Sequence, residues 1–371
     1  ESADGRGKPR GAKASPRGPR HGASRHVVWQ AAPMVRSPDI GTERVTVGDV
    51  SLQVTVAGAG PTVLLVHGFP ELAYSWRHQL RDVAAAGYRV VAPDMRGYGA
   101  SDRPEAIEHY DIMRLTGDLV GLIRHYGEPA TVVGHDWGAM VAWALSTFRP
   151  DLLRGVVGVS VPFAPSIELS LLDLVRSNAG DQGFHYILYF QEPGVAESEL
   201  DADPLDTMRR VLWLGSADIG ADLTSRSDAG VRTGFLDGDV PDGLPPWLSQ
   251  GDFEAYGRAF LATGFRGGLN WYRNLERNWE LMAPWRHAPV TIPAMFIGGR
   301  RDPVLVGTGD IDGDHPLLAL QAAYVPDLRV RLIHGAGHWT QQEKPAETSA
   351  ALLEFLADVM PVSYTHLTLP T

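Results

Sequence analysis

The sequence contains no cysteine. This absence excludes a disulfide framework, a thiolate nucleophile and any metal or iron–sulfur centre with cysteine ligands. The sequence also lacks an uninterrupted apolar run of about 20 residues, the length that a membrane-spanning helix needs. Its N-terminus has no apolar stretch of the signal-peptide type. We therefore expect a soluble, cytoplasmic protein of a reducing compartment that has no membrane partner.

The chain has 371 residues and 44% hydrophobic content, which is enough for one large core with a smaller subdomain. Residues 1–33 hold 7 Lys and Arg against 2 Asp and Glu, whereas the rest of the chain holds 26 against 42. That acidic body argues against nucleic acid as a partner. We expect residues 1–33 to be a disordered, non-native tail that precedes a natural start at Met34, and residues 362–371 to be an adapter-like artefact.

Short apolar runs alternate with helix-like segments along the rest of the chain. The alternating pattern at 44–58 predicts a hairpin, and near-continuous apolar runs predict strands at 62–68, 88–94, 130–136, 153–162, 290–299 and 328–337. Such runs are typical of parallel strands that are covered on both faces. Helices are predicted at 71–86, 111–127, 137–149 and 346–359. The sequence therefore predicts a doubly wound α/β fold.

The alternation is interrupted in the middle of the chain. Residues 164–285 are rich in aromatic side chains, and 215–245 within them are rich in Gly, Asp and Pro. We predict a core formed by residues 34–163 and 286–361, with a mostly helical cap at 164–285 that includes a long loop. No internal repeat is present.

The segment "VVGHDWGAM" at 132–140 has the pattern of a nucleophile elbow. In such an elbow a strand turns sharply into a helix, and small residues on either side leave room for the central nucleophile. Here the glycines are Gly134 and Gly138, and the central residue is Asp136. A carboxylate is already ionised near pH 7, so it can attack a saturated carbon without a base.

Two more polar residues follow predicted strands later in the chain. Asp302 lies in "GGRRDPVLV" and His338 lies in "GAGHW". Ligands of open α/β sheets bind beyond the carboxyl ends of the strands, which is where these residues fall. The order nucleophile, acid, histidine is that of the α/β-hydrolase triad. We therefore expect Asp136, Asp302 and His338 to form a catalytic triad.

Six segments between residues 40 and 360 carry a resemblance to a known family: "HGFPE", "PDMRGYGASDRP", "GHDWGAM", "YFQEPGVAE", "NWYRN" and "GHWTQQEKP". They resemble the epoxide hydrolases of the α/β-hydrolase fold, which convert an epoxide and water to a vicinal diol. The resemblance implies an α/β-hydrolase core with a helical cap and a small-molecule epoxide as substrate. The aromatic cap favours an apolar or aromatic epoxide. No H-E-x-x-H or G-x-x-x-x-G-K-[ST] motif is present, and we expect no metal and no cofactor.

The resemblance also implies how the epoxide ring is opened. Asp136 would attack one ring carbon and form an alkyl ester on the enzyme. Tyr186 and Tyr272 match the two cap tyrosines of the family, whose hydroxyls meet the oxygen that leaves the ring. Tyr189 lies close to Tyr186 in the sequence and ranks second for this role.

The ester would then be hydrolysed. His338, oriented by Asp302, would take a proton from water, and the water would attack the carbonyl carbon of the ester. The resemblance places the oxyanion hole on the backbone N–H groups of Phe69 and Trp137. The substrate pocket is expected to include Phe69, Trp137, Tyr189 and Phe190.

Two other readings of the same residues stay open at this point. A haloalkane or haloacid dehalogenase shares the fold and the Asp nucleophile, and Trp137 could donate its indole N–H to a halide, but haloalkane dehalogenases usually carry Asn where this chain has Phe69. A non-catalytic small-molecule binding protein could keep the same fold, although every expected catalytic position is filled here. The particular epoxide, the regio- and enantioselectivity, and the oligomeric state do not follow from the sequence.

Overall fold

The structure is a computed structural model that describes residues 39–127, 129–179, 184–219, 234–303, 305, 311 and 315–362. The basic tail predicted at 1–33 lies outside the described residues. The adapter-like segment predicted at 362–371 also lies outside them, except for Val362.

Eight strands form one sheet. They are Ile40–Val47 (β1), Val50–Ala57 (β2), Thr62–Val66 (β3), Arg89–Pro93 (β4), Ala130–His135 (β5), Leu153–Val159 (β6), Ala294–Gly299 (β7) and Leu328–Ile333 (β8). Their order is β1-β2-β4-β3-β5-β6-β7-β8. The two pairings of β2, with β1 and with β4, are antiparallel, and all the others are parallel. The predicted doubly wound, mostly parallel sheet is confirmed.

The central strands are buried on both faces, as their apolar sequences predict. Every residue of β3 is buried. Alternate side chains point to opposite faces of a sheet, and Leu64 and Val66 accordingly join one hydrophobic cluster whereas Val63 and Leu65 join another. Each face of the sheet therefore has its own core.

Helices cover both of these faces. The thirteen α-helices of the described residues are Arg77–Ala85 (α1), Ile112–Tyr126 (α2), Trp137–Phe148 (α3), Leu171–Ala179 (α4), Tyr186–Tyr189 (α5), Val195–Leu200 (α6), Pro204–Leu214 (α7), Gln250–Thr263 (α8), Arg266–Arg273 (α9), Leu275–Leu281 (α10), Pro316–Tyr324 (α11), Thr340–Glu343 (α12) and Pro345–Val359 (α13). Short 3₁₀ helices span Ala73–Trp76, Ile107–Tyr110, Pro150–Leu152, Ala217–Ile219 and Ala283–Trp285. Val83 of α1 and Phe355 of α13 pack on one face, and Leu119 of α2 and Val141 of α3 pack on the other.

Helices α4 to α10 all lie between β6 and β7 in the sequence, in the interval predicted to be helical. Helix α9 packs directly on the loop after β4, because a Cβ on Gly267 would lie 2.1 Å from the carbonyl oxygen of Gly97. The division of the chain into core and cap at residues 163 and 286 remains a prediction. Among the described residues, no helix combines the length and the apolar character that crossing a bilayer requires.

Candidate active site

Asp136 lies at the sharp turn between β5 and α3. Its backbone angles are φ 51° and ψ −119°, a conformation that residues other than glycine rarely adopt. The turn is tight on both sides. A Cβ on Gly134 would lie 2.0 Å from the carbonyl oxygen of Gly138, and a Cβ on Gly138 would lie 2.2 Å from that of Val66. The local sequence therefore folds as an elbow because only glycine fits at both positions.

The carboxylate of Asp136 is held by one backbone donor and one charged neighbour. The Phe69 N–H donates to Oδ1 at 2.8 Å, and Nε2 of His338 lies 3.5 Å from Oδ2. Burial alone would raise the pKa of Asp136, but the hydrogen bond and charge of His338, together with the charge of His135 and the Phe69 N–H, lower it. Asp136 is thus held in its ionised form, as a carboxylate nucleophile must be.

His338 and Asp302 form the second pair of the predicted triad. Nδ1 of His338 lies 3.1 Å from both carboxylate oxygens of Asp302, which is fully buried. Burial would lower the pKa of His338, but the charge of Asp302 and the hydrogen bonds to Asp136 and Asp302 raise it well above its usual value. The ring therefore lies between two carboxylates, and both favour its protonated form.

The two predicted cap tyrosines face the nucleophile. Tyr186 begins α5 and Tyr272 lies in α9, and their ring centroids are 6.1 Å apart. Burial raises the pKa of both hydroxyls, and the negative charge of Asp136 raises it further. A hydrogen bond from Trp137 opposes this rise at Tyr272. Both phenols are therefore protonated and near Asp136, as a proton donor to a leaving oxygen must be.

Tyr189 and Phe190 occupy different surroundings, although they are adjacent in the sequence. The Tyr189 hydroxyl bonds to Glu199, and burial followed by this carboxylate raises its pKa to about 12. Phe190 is fully buried, and its ring packs edge-on against Phe69 at 5.8 Å and Tyr272 at 5.1 Å. The structure therefore places Phe190 among the site aromatics and turns the hydroxyl of Tyr189 toward Glu199.

Two backbone N–H groups lie beside Asp136 where an oxyanion hole is predicted. The Phe69 N–H already contacts Oδ1 of the carboxylate. Trp137 is the first residue of α3, and N–H groups in the first turn of a helix lack a carbonyl partner within the helix. The ring of Trp137 packs edge-on against Tyr272, with a centroid distance of 5.0 Å. Both predicted donors are therefore next to the nucleophile.

A buried, hydrogen-bonded pair of side chains behind the triad was not predicted from the sequence. Glu71 and His135 are both fully buried, with Oε2 of Glu71 2.6 Å from Nδ1 of His135. Nε2 of His135 lies 2.8 Å from the carbonyl oxygen of His338. Both ring nitrogens face oxygens, and the pKa of Glu71 is lowered because His135 and the Gly68 N–H outweigh the effect of burial. Each ring nitrogen of His135 is therefore within hydrogen-bond distance of a buried oxygen, one from Glu71 and one from the backbone of His338.

The sequence places both members of this pair in recognisable motifs but does not show that they are in contact. His135 directly precedes the nucleophile in "GHDWG", and Glu71 ends "HGFPE". Their separation of 64 residues hides the contact. Among the described residues, no group of three or more His, Asp or Glu side chains is arranged to hold a metal ion.

Comparison with known proteins places the chain among α/β hydrolases. Residues 61–190 match the family model described as the alpha/beta hydrolase fold. Epoxide hydrolase A of Mycobacterium tuberculosis is 49% identical over 320 residues, which are 85% of this chain and 97% of that protein. Epoxide hydrolase 2 of Siraitia grosvenorii is 38% identical over 324 residues, which are 84% of this chain and 96% of that protein.

The solved structures that match this chain are also epoxide hydrolases. The crystal structure of epoxide hydrolase A from Mycobacterium thermoresistibile matches with a TM-score of 0.79 and 45% identity, covering 86% of this chain and 98% of that one. An epoxide hydrolase from an endophytic Streptomyces matches with a TM-score of 0.79 and 36% identity, covering 86% and 96% of the two chains. At these identities and coverages, the likeness extends through core and helical insertion alike.

Proposed function

The chain belongs to the epoxide hydrolases of the α/β-hydrolase fold, and from that premise we propose that it opens epoxides through a covalent ester on Asp136. Membership of this family decides against the dehalogenase and the non-catalytic binding protein. The observation that carries the proposed mechanism is the arrangement of two protonated phenols, Tyr186 and Tyr272, around an ionised carboxylate. A carboxylate can attack an epoxide carbon, and a phenol can protonate the ring oxygen that leaves this carbon.

In the first step, an oxygen of Asp136 bonds to one epoxide carbon while the bond between that carbon and the ring oxygen breaks. The electron pair of the broken bond stays on the ring oxygen, which takes a proton from Tyr186 or Tyr272. The hydrogen bond from Trp137 supports this transfer at Tyr272, because a donor to the phenol oxygen stabilises the phenolate that forms. The product of this step is a hydroxyalkyl ester of Asp136.

In the second step, water attacks the carbonyl carbon of that ester. The phenolate left by ring opening takes the Nε2 proton of His338, so the imidazole enters this step neutral. Nε2 then takes one proton of the attacking water, and the contact between Nδ1 and Asp302 keeps the ring in position. The N–H groups of Phe69 and Trp137 stabilise the oxyanion. Collapse of the tetrahedral intermediate breaks its bond to the diol oxygen, which takes the second proton of the attacking water. Asp136 is left as a carboxylate beside a protonated His338, as before the reaction.

The surroundings of the reacting atoms favour an apolar or aromatic epoxide. Phe69 packs edge-on against Tyr272 at 5.4 Å and against Phe190 at 5.8 Å, and Phe190 packs against Phe235 at 5.0 Å. Aromatic walls with few polar groups select ligands by apolar contact. We therefore propose aryl or alkyl epoxides as substrates.

Isotope-labelled water tests the covalent mechanism in a single turnover. With enzyme in excess over an aryl epoxide in H₂¹⁸O, the solvent oxygen is expected in the carboxylate of Asp136, and the diol is expected to contain none. The label is located by mass spectrometry of the peptide that includes Asp136 and of the extracted diol. Label in the first-turnover diol would mean that water attacks the epoxide directly, and it would refute the ester.

A further inference from the structure

The segment that follows His338 in "GHWTQQEKP" contains a carboxylate for which the mechanism above has no role. Glu343 is the last residue of α12, and it accepts hydrogen bonds from three backbone N–H groups. Ala217 and Gly337 donate to Oε2 at 2.9 and 3.0 Å, and Trp339 donates to Oε1 at 3.0 Å. Gly337 and Trp339 are the residues on either side of His338. One carboxylate therefore holds the amides that flank the catalytic histidine.

The third donor to Glu343 comes from a different part of the chain. Ala217 begins the 3₁₀ helix that follows α7, within the interval between β6 and β7. The same turn also contacts His338 directly, because the backbone N–H of His338 donates to the carbonyl oxygen of Gly215 at 2.7 Å. The turn at 215–217 and the loop at 337–339 are thus joined directly by this hydrogen bond, and indirectly by the carboxylate of Glu343, which accepts from both segments. We call these two segments the cap turn and the histidine loop.

The cap turn and the histidine loop are closely packed, and each presents a glycine at the contact. A Cβ on Gly337 would lie 2.4 Å from the backbone nitrogen of Ala217, and one on Gly215 would lie 2.5 Å from Nε1 of Trp339. That indole nitrogen donates to the carbonyl oxygen of Leu212 in α7 at 2.9 Å. Glycine at both positions allows the approach that brings the Ala217 N–H within reach of Glu343.

We propose that Glu343 is a positioning residue for His338, and that it couples the placement of the imidazole to the cap turn. The inference rests on the proposed function, in which His338 acts only in ester hydrolysis. Loss of the carboxylate frees the amides on either side of His338 and so loosens the ring that must meet water at the ester. Formation of the ester depends on Asp136 and the two tyrosines, so it is much less affected.

Replacement of Glu343 by Gln is a sharp test of this role. A carboxylate is an acceptor at both oxygens, whereas the amide has one acceptor oxygen and an NH₂ group that would face an N–H donor. The matched control is Glu347→Gln, since Glu347 lies four residues later and is exposed. Excess enzyme is mixed with styrene oxide and quenched at short times, and mass spectrometry follows the rise and decay of the ester. At enzyme concentrations that saturate the substrate, these first-order rate constants do not depend on the fraction of enzyme that is folded.

For Glu343→Gln we expect ester formation within about twofold of the wild type and ester hydrolysis slower by about tenfold or more, as loss of alignment costs in other sites. Glu347→Gln should match the wild type in both steps. Hydrolysis at the wild-type rate, or equal slowing of both steps, would overturn the proposal. If the wild type itself forms no ester, the proposed function fails, which is a separate result.

A second variant tests the coupling to the cap turn even if Glu343→Gln does not fold. Glu343→Asp keeps the negative charge but shortens the side chain by one methylene, which withdraws the carboxylate from the Ala217 N–H. We expect ester hydrolysis to slow by about threefold, with ester formation unchanged. An unchanged hydrolysis rate in this folded variant would refute the coupling.

Discussion

Nε2 of His338 lies 3.5 Å from Oδ2 of Asp136, beyond the range of a strong hydrogen bond but well within that of charge attraction. The negative charge of Asp136 is one of the causes that raise the pKa of His338. Formation of the ester removes this charge. The pKa of His338 therefore falls at the stage when the ring must accept a proton from water.

Asp136→Asn should reproduce this change without substrate, because the amide of Asn is neutral like the ester. We expect the pKa of His338 to be lower in Asp136→Asn than in the wild type, since an imidazolium loses a neighbouring anion. The measurement is an NMR titration of the His338 ring. Asp151→Asn, at an exposed carboxylate that pairs with Arg149, is the control and should leave the titration unchanged. An unshifted pKa of His338 in Asp136→Asn would mean that the charge of Asp136 does not raise this pKa.

His338→Gln should separate the two chemical steps. Asp136 keeps its Phe69 donor in this variant, so attack on the epoxide proceeds while hydrolysis of the ester stalls. We expect an adduct of the mass of the epoxide on the peptide that contains Asp136, detected by mass spectrometry after mixing with an aryl epoxide. Wild-type turnover without an adduct in the variant would contradict a covalent ester at Asp136.

The two cap tyrosines should be needed for ring opening and not for folding. We expect Tyr186→Phe and Tyr272→Phe to slow ester formation by about 100-fold each, the usual contribution of a positioned acid. The double variant should form no detectable ester. Tyr189→Phe is the matched control, because the Tyr189 hydroxyl bonds to Glu199, and it should keep wild-type activity. Diol formation by the folded double variant would remove these hydroxyls from the mechanism.

The buried pair of Glu71 and His135 should matter for stability. Oε1 of Glu71 also accepts from Gln341 at 2.9 Å, so the carboxylate joins several segments behind the site. Replacing the carboxylate by an amide puts an NH₂ group where Glu71 accepts N–H donors, and leaving such buried donors without an acceptor costs about 3 kcal/mol. We expect this loss in the free energy of unfolding of Glu71→Gln, measured by denaturant titration. Glu354→Gln at the exposed pair with Arg331 should cost about 1 kcal/mol or less.

The sequence predicted the centre of the sheet well because the central strands are buried on both faces. The run "TVLLV" has no alternation of polar and apolar residues that would indicate an amphipathic helix. It forms β3 at Thr62–Val66, within the predicted strand. Helix α11 at Pro316–Tyr324 was not predicted, because three of its nine residues are alanine and its apolar side chains are not confined to one face. The elbow at Asp136 was predictable from its two glycines alone.

The contacts of Glu71 and Glu343 with distant parts of the chain could not be predicted from the sequence. The triad was recognisable because chain order and strand ends constrain where its members lie. Glu343 has no such constraint, and one of its three donors, Ala217, lies 126 residues before it in the chain. A carboxylate that binds backbone amides requires no particular partner side chain, so the sequence carries no second residue to signal it.

The contact between Gly215 and the backbone of His338 has a consequence for protein engineering. Exchanging the helical insertion between relatives is an obvious route to new substrates, since the two tyrosines travel with it. Such a chimera also replaces the carbonyl group at position 215, which accepts a hydrogen bond from the backbone N–H of His338. Donor sequences should therefore be chosen for the small residue and local backbone at position 215, as well as for the shape of the pocket that they bring.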